Sequence, residues 1–140
     1  MIAAGMVRYG FREEAERLCR AVLEAGMRFP DGRLPELFCG FGRDGRFHSG
    51  PCEYLVSCSP QAWGAGAVFH FLRILAGVQP DALAGRVRID PLKTCLFERL
   101  RVEGMQVAGG TLDFTVEQTG GTPRVAVDRA PAGVTLELPA

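Results

Sequence analysis

One carboxylate stands out for its surroundings. Glu36 lies in LPELFCGFGR (residues 34–43), between Pro35 and an aromatic, glycine-rich run of Phe38, Gly40, Phe41 and Gly42. A glutamate directly after proline suits the first turn of a helix, where the helix dipole favours an acid. A carboxylate among aromatic rings equally suits proton transfer on a flat, hydroxylated ligand. Further along, SPQAWG carries Gln61 and Trp63, the single tryptophan. The Gln61 amide offers donors and an acceptor to hydroxyl groups, or bonds backbone at a helix start. The Trp63 face either stacks on the C–H surface of a sugar or fills a core. Phe38 and Phe41 wall such a site or simply pack. Asp44 and Glu53 are the other loop carboxylates after Glu36, each a candidate acid or a solvated turn charge. Arg33 and Arg43 bracket the motif and could pair with Glu36, lowering its pKa.

Other chemistries are poorly served. Sixteen basic residues balance sixteen acidic ones, and Lys93 is the single lysine, so no basic cluster suits a phosphate backbone and nucleic acid is not an expected partner. Cys39, His48, Cys52 and Cys58 have the chemistry of zinc ligands, but their spacing fits no common zinc module. No metal and no cofactor are expected. Five cysteines at irregular spacing make a poor disulfide framework. The longest apolar stretch, residues 62–78, is interrupted by His70 and Arg73 and is short for a membrane span. The amino terminus, MIAAGMVRYGF, lacks the form of a signal peptide, so the expected setting is the cytoplasm, with no membrane partner.

The elements that must position these residues follow from periodicity. Residues 1–28 read as a helix in two pieces, with Phe11, Ala15, Leu18, Val22 and Ala25 on one face and charges opposite. Residues 29–58 lack periodicity, yet their aromatics predict an ordered loop, and long ordered loops favour sites. A second helix starts after Ser59 as N-cap and Pro60 at the first position, and stops at Gly77. It is apolar nearly all round, which predicts a helix enclosed by protein. From residue 86 the pattern has period two, with Gly109-Gly110, Gly120-Gly121 and Ala132-Gly133 as turns. Leu100, Val102, Leu112, Phe114, Val116, Val125, Val127, Val134, Leu136 and Leu138 would line one face of a small antiparallel meander.

RLPELFCGF, SCSPQAWGAGA and LRILAGVQPDALAGRVRIDP, in this order before a terminal sheet, resemble the carboxy-terminal part of bacterial amylo-α-1,6-glucosidases of glycogen debranching. That resemblance implies a mainly α fold with a β tail: the last helical hairpin of an (α/α)6 toroid over residues 1–80, then a small antiparallel sheet over 81–140. It implies Glu36 as the general base of hydrolysis at α-1,6 branch points, with Gln61, Trp63 and Phe38 on the substrate. Inverting hydrolysis also needs a protonated carboxyl roughly 6.5–9.5 Å away, and the family's acid lies on an earlier helix that this sequence does not contain. The expected partners are an α-glucan or oligosaccharide, and either the missing part of the barrel or a second copy. The alternative is a non-catalytic remnant or an α-glucan-binding module. Leu55, where the family pattern has proline, and residues 44–52 depart from it.

Overall fold

The apolar alternation after residue 86 becomes strands, but they divide between two sheets. The computed structural model describes residues 1–41, 50–58, 61–119 and 121–139. Its elements are α1 (Ile2–Arg8), α2 (Arg12–Gly26), a 3-10 turn (Pro30–Gly32), α3 (Ala62–Leu75), β1 (Val78–Asp81), β2 (Arg86–Ile89), β3 (Arg99–Val107), β4 (Gly110–Glu117), β5 (Arg124–Arg129) and β6 (Thr135–Glu137). The chain divides into two compact units, residues 1–16 with 72–140, and residues 17–71.

In the first unit β3, β4 and β5 form an antiparallel meander. Leu100 faces Val116 and Val102 faces Phe114, while on the other edge of β4 Phe114 faces Val127 and Val116 faces Val125. These same-face pairs are the unit of sheet stabilisation. The β3–β4 turn holds Ala108 and Gly109 at φ 48° and 77°, the left-handed geometry whose twist suits a two-residue hairpin. A bulge between Val102 and Met105 is secured by the Gly104 N–H, which donates to Asp113 Oδ1 at 2.6 Å. The second sheet has the order β1-β2-β6, with β1–β2 antiparallel and β2–β6 parallel. Val78, Val87 and Ile89 from this sheet share one core with Leu112, Phe114 and Val116 of β4.

The expectation of a single meander is therefore corrected. Arg86–Ile89 and Thr135–Glu137 pair with each other in a separate sheet, and Leu138 is 45% exposed rather than on the core face. Alternation tells which side of a strand is apolar, not which strand lies next to it.

The expected mainly α fold, a partial (α/α)6 toroid followed by one small antiparallel sheet, is also overturned. Among the described residues there are three α-helices and six strands in two sheets, and the core of the first unit is built between sheets. The toroid is what the family resemblance implies, and the separate expectation that α3 is enclosed because it is apolar nearly all round fails as well. In the structure its buried residues are Ile74 and Leu75 at the carboxyl end, whereas Trp63 is 84% and Phe69 75% exposed. Small apolar residues such as Ala62, Ala65 and Gly66 raise apolarity without marking a buried face.

Helix limits are closer to expectation. The first helical region is two pieces, α1 and α2, with Gly10 at φ 89° between them. Ala15 and Cys19 are the fully buried stripe of α2, while Phe11, placed on that stripe by spacing, is 57% exposed ahead of the first turn. Ser59 and Pro60 lie outside the described residues. No helix among the described residues is long and apolar enough to cross a membrane.

α3 stops where the sequence predicts. Gly77, at φ 70°, donates its N–H to the Ile74 carbonyl at 3.0 Å. The chain then returns on itself: the Asp90 N–H donates to the Gly77 carbonyl at 3.0 Å and the Leu92 N–H to the Leu75 carbonyl at 2.9 Å. Gly77 is required twice, because a Cβ there would fall inside the Asp90–Pro91 peptide and would sit on a left-handed backbone. Gly77→Ala is expected to destabilise the protein by about 2–4 kcal/mol, measured by urea denaturation. A loss below about 0.5 kcal/mol would mean that this close approach does not hold in solution.

Candidate functional site

The second unit builds its site around one buried leucine. Leu34 is 5% exposed and lies against two glycines, one on each helix. A Cβ on Gly26 of α2 would meet Leu34 Cδ2 at 3.0 Å, and one on Gly64 of α3 would meet the Leu34 carbonyl oxygen at 2.8 Å. At Gly64, where the contact is with backbone, only a bare glycine admits the loop this closely; at Gly26 the Leu34 methyl would have to shift by a few tenths of an ångström. Pro35 follows, also buried, and Glu36 emerges exposed.

From there the loop pairs with residues 52–58. The Glu36 N–H donates to the Cys58 carbonyl at 3.3 Å, the Tyr54 N–H to the Leu37 carbonyl at 3.2 Å, and the Cys39 N–H to the Cys52 carbonyl at 2.8 Å. Phe38 and Glu53 form an antiparallel bridge, and the Phe38 ring tilts against Phe29 at 5.5 Å between centroids. Asp44, Arg43 and His48 lie outside the described residues.

A groove of about 370 Å³ runs along this unit, lined by Glu36, Phe38, Gln61 and Trp63, the four residues expected on base and substrate, but not by Phe41, Glu53 or Arg33. Gly64, Ala67 and Phe71 of α3 and Val22 of α2 supply the rest of the apolar wall beside Leu34 and Pro35. The spacing of Gly64, Ala67 and Phe71, three and then four residues apart, marks one helix face. That face could have been read from the sequence.

Glu36 is held as a carboxylate. Its Oε2 accepts the Cys58 N–H at 3.0 Å. This bond is the main reason its pKa lies below the ordinary 4.5, followed by a bond from the Cys58 thiol; a slight desolvation acts the other way and the Gln61 side chain adds a smaller push downward. The arginine pairing expected from Arg33 is not formed: no ion pair reaches Glu36 among the described residues. Hydrogen bonds to the charged form replace it. Cys58, which the sequence reading passed over as a site residue, is thus the partner that fixes the acid. Its own thiol pKa is raised, first because it donates to Glu36, then by the carboxylate charge and by desolvation.

The remaining polar groups have quieter roles. The Gln61 Oε1 accepts the Ala62 N–H at 2.8 Å at the start of α3, so half of this amide is committed to backbone. Glu53 accepts the Ser57 hydroxyl at 3.4 Å and does not line the groove. Glu36 is therefore the one carboxylate on the groove among the described residues. The Cys39 and Cys52 thiols both approach the Glu53 carbonyl, at 3.5 and 3.6 Å. The Cys39 pKa is raised by desolvation first and by Cys52 second. No group of three or more metal-ligating side chains occurs among the described residues.

Two outcomes follow from the Glu36–Cys58 contact. Glu36→Gln should speed alkylation of Cys58 by iodoacetamide about three- to tenfold near pH 8, because the thiol loses the carboxylate that keeps it protonated. Peptide mass spectrometry reads this, and an unchanged rate would show the contact absent. The Glu36 pKa is lower in the folded chain than its ordinary 4.5, so its stabilisation is complete above that pH and is lost as pH falls through the folded value. Thermal melts should show the advantage of the wild type over Glu36→Gln at about pH 7 shrinking by about pH 3. A constant difference would disprove the assignment. Comparison of the chain with family models, with curated proteins and with solved structures finds no match.

Proposed function

We propose that the groove binds α-glucan and that Glu36 acts as the general base of α-1,6-glucosidic hydrolysis, within the carboxy-terminal part of a glycogen-debranching-type amylo-α-1,6-glucosidase. The observation that carries this reading is the convergence of Glu36, Gln61, Trp63 and Phe38 on one groove, where hydrogen bonds from Cys58 lower the pKa of the carboxylate. The helical toroid lends no support, since the chain does not form it, and the proposal stands on the groove and the motif residues. An ionised carboxylate can take a proton from water as it attacks an anomeric carbon. The Trp63 and Phe38 rings offer apolar faces to a pyranose, and the Gln61 amide, whose oxygen takes the Ala62 N–H and whose NH2 bonds Glu36, keeps a second N–H for a hydroxyl. Free thiols at all five cysteines accord with the reducing cytoplasm as the setting.

The inverting reaction needs a protonated carboxyl roughly 6.5–9.5 Å from the base, and no second carboxylate lines the groove among the described residues. The acid must then come from another polypeptide or from residues outside those described. The same lone carboxylate favours a second reading, α-glucan binding without hydrolysis.

Two measurements separate these readings. Trp63 is the single tryptophan, so its fluorescence should shift when an α-1,6-linked glucose oligosaccharide is added, and Phe38→Ala should weaken that response about three- to tenfold. Glucose release from the same oligosaccharide should occur with the wild type and fall at least a hundredfold in Glu36→Gln. A fluorescence response without release supports binding alone. Neither response would overturn both readings.

A further inference from the structure

The first unit holds a second concavity with a different character. A cavity of about 470 Å³ near the carboxyl end of α3 is lined by Arg8, Arg12, Arg73 and Arg88 with Asp90. Four guanidinium groups against one carboxylate leave three positive charges in excess. Asp90 engages two of them: Arg12 reaches its two oxygens at 3.0 and 3.1 Å, and Arg88 reaches Oδ2 at 3.0 Å. Arg12 is fixed further by the Asp90 and Pro91 carbonyls, at 3.3 and 3.0 Å. The side chains of Arg8 and Arg73 make no hydrogen bond or ion pair among the described residues.

The adjacent concavity shares Arg8 and Arg88 but carries two carboxylates of its own: there Arg86 is answered by both Asp81 and Glu137, at 3.1 and 3.2 Å. Like charges gathered in one concavity repel, and an anion placed among them removes that repulsion. The planar guanidinium fork matches a tetrahedral oxyanion, giving two parallel hydrogen bonds per arginine.

We propose that this cavity binds the phosphate group of a small molecule. Arg8 and Arg73 grip the phosphate oxygens, and the Arg12–Asp90–Arg88 cluster forms a pre-set wall beside them. Every residue involved belongs to the first unit, so the site is independent of the Glu36 groove and of any sugar chemistry there.

Isothermal titration of the full chain with inorganic phosphate, and then with glycerol 3-phosphate, tests the assignment. The expected result is saturable one-site binding with Kd in the millimolar range or tighter. Affinity should fall at least tenfold in the Arg8→Gln/Arg73→Gln double variant and stay unchanged in Arg101→Gln, whose guanidinium pairs with Glu103 at 2.9 Å outside the cavity. Tighter binding of the ester than of free phosphate identifies a phosphomonoester as the ligand; equal binding identifies the phosphate group alone as what is recognised. The Arg8→Lys/Arg73→Lys variant keeps the charge and the fold but loses the fork, and should bind more weakly than the wild type. Absence of saturable binding by the wild type overturns the proposal. So does wild-type affinity in either double variant.

Discussion

The first unit hangs on the fit between one peptide and one glycine. Where α3 ends, the Asp90–Pro91 peptide packs directly on Gly77, and two backbone hydrogen bonds bind the end of the helix to the segment that follows β2. Arg12, from the start of α2, covers the same point by holding the Asp90 carboxylate and two carbonyls at once. Segments far apart in sequence are thus joined at a single place. The arrangement continues into residues 92–98, where the Gln118 amide donates to the Leu92 carbonyl at 2.8 Å and the Thr94 hydroxyl to Glu16 at 2.7 Å. A polar scaffold of this kind is worth having only when every member is satisfied, and here backbone groups take up most of the donors.

The second unit uses a different economy. Glu36 has its pKa lowered by a backbone N–H and a thiol, not by an arginine. Among the described residues no cation pairs with this carboxylate, so its negative charge stays open to the groove, although the same bonds make it a weaker base than an ordinary glutamate. An arginine partner would have lowered its pKa as well, but would have shielded it from a ligand.

Much of the site was legible because side-chain chemistry is local. Glu36, Phe38, Gln61 and Trp63 could be picked out by type, and the groove gathers all four. What escaped was their support. Nothing in the sequence of Leu34, Gly26 and Gly64 says that a loop residue will be pressed between two helices, and Cys58 reads as a free thiol until its N–H is seen on Glu36. The fold was less legible for a related reason. The stop at Gly77 and the strands near Leu112–Val116 follow local rules of φ and alternation. The partner of β2 does not: Arg86–Arg88 pairs in register with Thr135–Glu137, and no local pattern distinguishes that neighbour from β3. The uniform apolarity of α3 is ambiguous for the opposite cause, since composition suggests a burial that only neighbours can supply.

The parallel pair of β2 and β6 bears on how the chain acquires its structure. The hairpin of β1 and β2 is complete by Ile89, but the outer edge of β2 finds its partner about fifty residues later, at Thr135. Closing a connection of that length carries an entropic penalty that local hairpins avoid. During synthesis β2 therefore emerges with one edge open and with Val87 and Ile89 uncovered until β4 arrives behind them. Its neighbours Arg86 and Arg88 place charge on the alternate positions of that open edge, a pattern that discourages pairing with a strand of another chain. The same arginines that shape the finished surface thus guard the nascent one.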